Sequence, residues 1–146
     1  MKKLLFYVIM CMCYMCTSCQ SPEKIVDDAV NQVNASCPIA VSKIATITKV
    51  EFVNNEVIFY STYDESEESF QDYTYQQLKK LESNPKFNKG TIQDIFRQPV
   101  IKEAFKNVSL KVAEELDLRF KAIVKGDTSN IEIACKLSWR DALHNL

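Results

Sequence analysis

Two runs of alternating apolar residues flank the pair Asn54-Asn55, and this arrangement limits the fold to one that contains a β-hairpin. Asparagine tolerates the positive φ angles of a tight two-residue turn. Before the turn, Lys49 and Glu51 alternate with a face of β-branched and aromatic residues, which is typical of a strand. That face comprises Ile44, Thr46, Thr48, Val50 and Phe52. Residues 57–63 form the second strand.

A second hairpin is predicted near the carboxyl end, where the same alternation recurs on both sides of a turn-rich segment, residues 126–130. The apolar positions before the turn are Leu116, Leu118, Phe120, Ala122 and Val124. Those after it are Ile131, Ile133, Cys135 and Leu137.

Helical spacing of apolar residues predicts that the rest of the chain is α-helical. Ser21 is a good N-cap and Pro22 a good first residue, while Pro38 ends this first helix. We expect helices over 22–35, over 75–81, from Thr91 onward, and from Ile101 through Val112 with Pro99 as a kink or a new start. The end of the last of these is ambiguous, because residues 108–112 also alternate, and the tail 141–146 adds at most one loose turn.

These elements follow the order α-ββ-α-α-ββ. Two hairpins with one apolar face each are most simply joined into a single antiparallel sheet that packs against the helices. We therefore predict an α+β fold with a single domain over residues 19–146, and a cystatin-like wrapped sheet is the alternative.

The amino-terminal segment, residues 1–18, has the layout of a secretory signal. Lys2 and Lys3 precede an uncharged run over 4–16, which is shorter than the roughly 20 residues that a bilayer core requires. The run closes on Cys16-Thr17-Ser18-Cys19. These four residues resemble the lipobox of bacterial lipoprotein signal peptides, although Cys16 stands where that family usually has leucine.

This resemblance implies that the Cys19 thiol receives a diacylglyceryl group and that the chain is cut before Cys19. The mature protein would then be anchored by lipid in the cell envelope, on the periplasmic face of the outer membrane or on the cell surface. An uncleaved anchor or an ordinary signal peptide is the alternative.

A second resemblance covers residues 25–63. The Cys37-Pro38 step, the Val41-Ser42-Lys43 segment and the first hairpin look like those of a group of small bacterial envelope lipoproteins. That group usually has aspartate where this chain has Ser42. The resemblance implies an envelope location and no particular activity.

Charge and glycine content exclude several classes of function. Of the 18 basic residues, Lys2 and Lys3 leave with the signal, so the mature chain has 16 basic and 19 acidic residues and a formal charge of −3. Its lysines are mixed with acids along the chain, which is unlike a nucleic-acid-binding protein. Gly90 and Gly126 are the only glycines, and two are too few for glycine-rich phosphate loops. We expect no metal or cofactor.

Cys37 and Cys135 are the two thiols left once Cys19 carries lipid. Both continue apolar patterns, and disulfides persist in the compartment to which a secretory signal leads. We expect a disulfide between them. Two buried, unbonded thiols are the competing interpretation.

Four tyrosines surround the acidic run 64–72 and form the best candidate binding site: Tyr60, Tyr63, Tyr73 and Tyr75. Tyrosine combines a rigid apolar ring with a polar tip, which suits interfaces and saccharide surfaces. Rings that only cover the edge of the core are the alternative. No catalytic residue is predicted, because the single histidine, His144, lies in the carboxyl-terminal tail.

The sequence thus favours a non-catalytic envelope domain that binds an envelope protein or a saccharide. A small hydrolase with carboxylate chemistry and an inhibitor or immunity-type protein are the alternatives.

Overall fold

The computed structural model describes residues 20–66, 75–129 and 131–143. Its helices are α1 (Pro22–Asn34), α2 (Tyr75–Leu81), α3 (Pro85–Phe96), α4 (Pro99–Phe105), α5 (Leu110–Glu115) and α6 (Trp139–Leu143). Its strands are β1 (Ile39–Ala40), β2 (Ala45–Val53), β3 (Glu56–Tyr63), β4 (Arg119–Gly126) and β5 (Glu132–Ser138). Cys19, Tyr73 and His144 lie outside the described residues.

The α+β class and the two hairpins are confirmed, and the order of the elements roughly matches, with β1, two further helices between the hairpins and α6 added. The five strands form one sheet in the order β1-β2-β3-β4-β5. The sheet is mixed, however, because β3 and β4 run parallel, with Phe59 opposite Ala122. The expectation of a wholly antiparallel sheet was therefore wrong. Parallel neighbours need a long crossover, and α2 to α5 supply it between the end of β3 and the start of β4.

Helix α1 forms where its sequence signals place it. The Ser21 hydroxyl accepts a hydrogen bond from the Lys24 amide at 3.3 Å, and Pro22 occupies the first turn. Val26, Ala29, Val30 and Val33 are buried, and α1 contacts β2, α4 and α5. The apolar stripe of this helix therefore seals one side of the core.

A β-bulge changes which residues of β2 face the core. The register shifts between Ile47 and Lys49, so the exposed Thr48 has no direct partner on β3. Ile47 is fully buried, and the predicted apolar face holds only from Val50 onward. An extra residue in one strand switches the side chains that follow it to the opposite face of the sheet. A sequence pattern read with a uniform period of two does not reveal such a bulge.

Three other boundaries differ from the expectation. Helix α3 starts at Pro85 rather than at Thr91, because the Asn84 side chain accepts hydrogen bonds from the first free amides of this helix. Ser109 caps α5 in the same way and so separates it from α4. Asp117 adopts a positive φ of 46°, which turns the chain into β4 two residues later.

The core lies between the helices and one face of the sheet. At its centre the ring of Phe96 packs edge-to-face against Phe120, Phe105 and Phe59, with centroid distances of 4.9, 5.4 and 5.8 Å. Phe59 and Phe120 come from the two parallel central strands. The rings thus fix the two hairpins to the same helix.

Side chains protect both edges of the sheet. Beyond the short strand β1, the Asn34 carboxamide donates to the Val50 carbonyl at 2.7 Å and accepts from the Val50 amide at 2.8 Å. At the other edge, the Glu82 carboxylate accepts from the Ala134 amide at 2.9 Å. Each contact occupies backbone groups that another strand would otherwise bind.

The predicted disulfide is not formed: Cys37 and Cys135 are both free thiols. Cys37 precedes β1 at one edge of the sheet, whereas Cys135 lies on β5 at the other. Four strand spacings separate these edges by roughly 19 Å, while a disulfide needs Cα atoms within about 7 Å. Burial raises the pKa of both thiols, so neither is activated as a nucleophile.

Candidate functional site

A cleft opens between the helix side of the sheet and α3, at the end where β3 finishes. Its volume is about 180 Å³. The walls come from the loop before β2, from β3 and β4, and from α3, and they are mainly apolar. The lining includes Val41, Ala45, Ser61, Tyr63, Phe87 and Ile95.

Few polar groups enter this cleft. Ser61 is 7% exposed and is the one buried polar residue of the described core. Thr91, where the sequence predicted a helix start, instead lies within α3 and lines the cleft. Asp94 at the rim pairs with Arg97 at 2.7 Å. An apolar hollow with a few polar groups is typical of a binding site for side chains of a partner.

The predicted tyrosine cluster does not form one patch. Tyr63 is 2% exposed and lies on the helix side of β3, where it lines the cleft. Tyr60 is three residues earlier in the same strand and lies on the opposite face. Tyr75 begins α2, and the structure describes its backbone only. The expectation that Tyr60 and Tyr63 share a site was therefore wrong, because residues an odd number apart in a strand face opposite ways.

Tyr63 joins the cleft to a network of hydrogen bonds around Glu65. The Glu65 carboxylate accepts from the amides of Thr128 and Ser129 at 2.8 and 2.7 Å, and from both their hydroxyls. The Tyr63 carbonyl accepts a hydrogen bond from the Asp127 amide at 3.1 Å, and burial raises the pKa of the Tyr63 hydroxyl. The network fixes the start of the acidic run to the turn between β4 and β5.

This network explains one of the two glycines. A Cβ atom on Gly126 would lie 2.4 Å from Glu65 Oε1 and 2.8 Å from Ser129 Oγ. The hydroxyls of Ser129 and Thr128 lower the pKa of the Glu65 carboxyl to about 2. Both carboxylate oxygens of Glu65 accept hydrogen bonds from the turn, so Glu65 stabilises this turn rather than serving as a free ligand.

None of the described helices packs on the other face of the sheet, and we call it the open face. Tyr60 lies on it and donates a hydrogen bond to Glu51 Oε2 at 2.8 Å. Lys49 pairs with Glu51 and lies 5.8 Å from the centroid of the Tyr60 ring. The register places these further residues on the open face: Glu56, Ile58, Arg119, Lys121, Ile123, Lys125, Glu132, Ala134 and Lys136.

Sequence reasoning missed both the cleft and the charges of the open face. The cleft is formed by four segments that are separate in the sequence, so no local sequence pattern predicts it. The open face did have a signal, since Arg119, Lys121 and Lys125 follow the period of two along β4. Among the described residues, no group of three histidine, cysteine or carboxylate side chains is placed to hold a metal ion. No described helix has the length and hydropathy that a membrane span requires.

Comparison with known proteins shows similarity of fold. No family model matches the chain, and no curated protein does. A crystal structure of a protein from Pseudomonas aeruginosa, described as secreted, matches with a TM-score of 0.50 and 9% identity, over 83% of this chain and 92% of that one. The pilotin of the Vibrio vulnificus type 2 secretion system matches with a TM-score of 0.49 and 10% identity, over 83% and 94%. At such identities the first likeness shows a shared fold alone, and we draw no conclusion from the second.

Proposed function

We propose that this protein is a lipid-anchored domain of the cell envelope that binds another envelope protein by enclosing one or two of its apolar side chains in the cleft beside Tyr63. The apolar cleft is the observation that carries this proposal. The signal-like amino terminus and the lipobox-like residues 16–19 support the location.

The proposed anchor, Cys19, precedes α1, so the position of α1 relative to the cleft bears on how a partner would reach it. Asn34, at the end of α1, bonds to Val50, and the chain then continues to β1, which pairs with residues 46 and 47. The carboxyl end of α1 therefore lies beside β2, and Val41 in the loop that follows β1 borders the cleft. The first residue of α1, Pro22, lies about 20 Å back along the helix. A lipid on Cys19 would then leave the cleft open to a partner.

The size of the cleft decides between kinds of ligand. Sites for drug-sized molecules have volumes of roughly 300–1,000 Å³, whereas this cleft has about 180 Å³. That volume suits one or two side chains of a protein better than a whole substrate. Anchor residues that enter small apolar pockets often dominate the affinity of protein interfaces.

The carboxyl groups give less support to the hydrolase alternative. A general acid needs a carboxyl pKa raised toward neutrality. In the described part of the chain, the resolved shifts of carboxyl pKa are all downward, for Glu51, Asp64, Glu65 and Glu82. Each of these carboxylates accepts hydrogen bonds that favour its charged form.

Site-specific photo-crosslinking in intact cells tests the proposal. Benzoylphenylalanine replaces Phe87 in the cleft or, as the control, Val53 beside the turn at the far end of β2. We expect a protein adduct from position 87, none from position 53, and loss of the adduct when Ala45→Phe fills the cleft. Equal adducts from both positions, or an adduct that survives Ala45→Phe in a protein with an unchanged melting temperature, would contradict the proposal.

A further inference from the structure

The open face carries an excess of positive charge on a domain that is negative as a whole. Its cations are Lys49, Arg119, Lys121, Lys125 and Lys136, and its carboxylates are Glu51, Glu56 and Glu132. The mature chain has a formal charge of −3. The helices carry similar numbers of acids and bases, so the surplus of acids lies mainly in the acidic run, residues 64–72.

Each carboxylate of the open face already has a cation near it. Glu51 pairs with Lys49. Glu56 lies opposite Arg119 across β3 and β4, and Glu132 lies opposite Lys125 across β4 and β5. Lys121 and Lys136 are the two cations left over.

Lys121 and Lys136 lie directly opposite each other on β4 and β5. The Ala134 amide points outward to Glu82, so Lys136, two residues on, also belongs to a non-hydrogen-bonded pair, in which Cα atoms are only about 4.5 Å apart. Among the described residues, no carboxylate lies within salt-bridge distance of either lysine. At longer range, the charge of Lys136 contributes to the lowered pKa of Glu82. Like charges directly opposite each other destabilise a sheet, so this pair works against the fold.

An apolar strip runs beside the two lysines. Ile58 is the other neighbour of Lys121, across β3, and Ile123 lies next to Tyr60. These three side chains are half-buried although no helix covers them. A half-buried strip of isoleucine and tyrosine bordered by cations offers apolar contact area together with charge complementarity to an anionic partner.

We propose that the open face, centred on Lys121 and Lys136, binds an acidic segment of a partner protein in which carboxylates alternate with apolar residues. The carboxylates would lie between the two lysines and toward Arg119 and Lys125. The apolar residues would cover Ile58 and Ile123. This surface is separate from the cleft and does not depend on it.

A lipid surface is the other anionic candidate, and the geometry disfavours it. Helix α1 packs on the opposite face of the sheet. Cys19 lies three residues before Pro22, so their Cα atoms are at most about 10 Å apart. A lipid attached at Cys19 would therefore hold the helix layer, and not the open face, close to the membrane. This step alone rests on the proposed anchor.

Fluorescence anisotropy tests the proposal with the full chain held in nanodiscs of phosphatidylcholine. The probe is a labelled peptide of alternating glutamate and valine, and its neutral counterpart has glutamine in place of glutamate. We expect binding of the acidic peptide only. The double variant Lys121→Glu with Lys136→Glu should weaken it roughly tenfold, because two attractions become repulsions. Lys86→Glu with Lys89→Glu on α3 changes the net charge equally and should alter binding less than about twofold.

Two results would overturn the proposal. One is an equal loss of binding in both double variants, since net charge alone would then explain it. The other is a wild-type chain that does not bind the acidic peptide. If that chain binds only to nanodiscs that contain phosphatidylglycerol, the ligand of the open face is lipid and not a protein segment. The single variant Lys121→Glu separates loss of binding from loss of the fold. We expect its melting temperature to rise, because an opposite-charge pair replaces a like-charge pair, while its affinity for the acidic peptide falls.

Discussion

Asn34 is the residue whose single side chain closes one edge of the sheet. Replacing it with alanine leaves the amide and carbonyl of Val50 without their partners in a partly buried place. We expect Asn34→Ala to lower the free energy of unfolding by about 1–3 kcal/mol. Asn31→Ala is the matched control, because Asn31 is exposed on the same helix. Chemical denaturation of both variants decides the matter, and equal midpoints would show that the edge contact contributes nothing.

Gly90 and Gly126 differ in what surrounds them, and their alanine variants should differ in sign. Gly90 lies inside α3 with open space where a Cβ would be, so Gly90→Ala should stabilise the fold by about 0.5–1 kcal/mol through helix propensity. Gly126→Ala should destabilise it, because the new Cβ would displace the Glu65 carboxylate. Thermal unfolding measures both variants. A Gly126→Ala protein as stable as the wild type would show that the contact relaxes freely.

Residues with local roles were predictable, and those with distant partners were not. Ser21 and Pro22 act on the helix they begin, so their types and positions suffice. Asn34 acts on Val50, which is sixteen residues away, and its type alone suggests only a helix end. The separation of Tyr60 from Tyr63 was available in the sequence, because the alternation that predicts β3 also puts them on opposite faces.

At the scale of elements, the Glu65 network ties the end of β3 to the turn after β4. In the folded state the pKa of the Glu65 carboxyl is about 2, below its ordinary value of 4.5. A lowered carboxyl pKa contributes stability that is present above the unfolded value and is lost as the pH falls through the folded one. The wild-type protein should therefore lose this contribution between pH 4.5 and about 2.

Glu65→Gln tests that link between elements. The variant should be less stable than the wild type at neutral pH, and the difference should shrink as the pH falls toward about 2. Glu115→Gln serves as the control, because Glu115 is exposed on α5. Urea denaturation at several pH values gives both curves. A Glu65→Gln curve parallel to that of the wild type would contradict the role of the network.

The elements themselves followed largely from periodicity and turn residues. Both hairpins and α1 form where alternation, Asn54-Asn55 and the Ser21 cap predict them. The parallel pairing of β3 with β4 was not predictable, because it depends on how the helices between them return the chain across the sheet. The bulge at Thr48 was also hidden, since threonine fits either face of a strand.

At the scale of the whole molecule, three surfaces are arranged around one core. The cleft lies where β3 ends, α1 covers part of the helix side, and the cationic open face turns away from the helices. The general expectation of a binding domain came from composition and from the amino-terminal segment. The positions of the surfaces did not, because each combines residues that only the folded topology brings together.

Fatty-acid labelling of Cys19 is the measurement that tests the proposed anchored binding domain most directly. Cells expressing the wild type, Cys19→Ala or the matched control Cys16→Ala receive an alkyne fatty acid and are then separated into membrane and soluble fractions. We predict that the wild type and Cys16→Ala carry the label and sediment with membranes, because the attached acyl chains contribute ~0.8 kcal/mol per buried methylene. Cys19→Ala should be unlabelled and soluble. A Cys19→Ala protein that still carries the label or still sediments with membranes would contradict the proposed anchor.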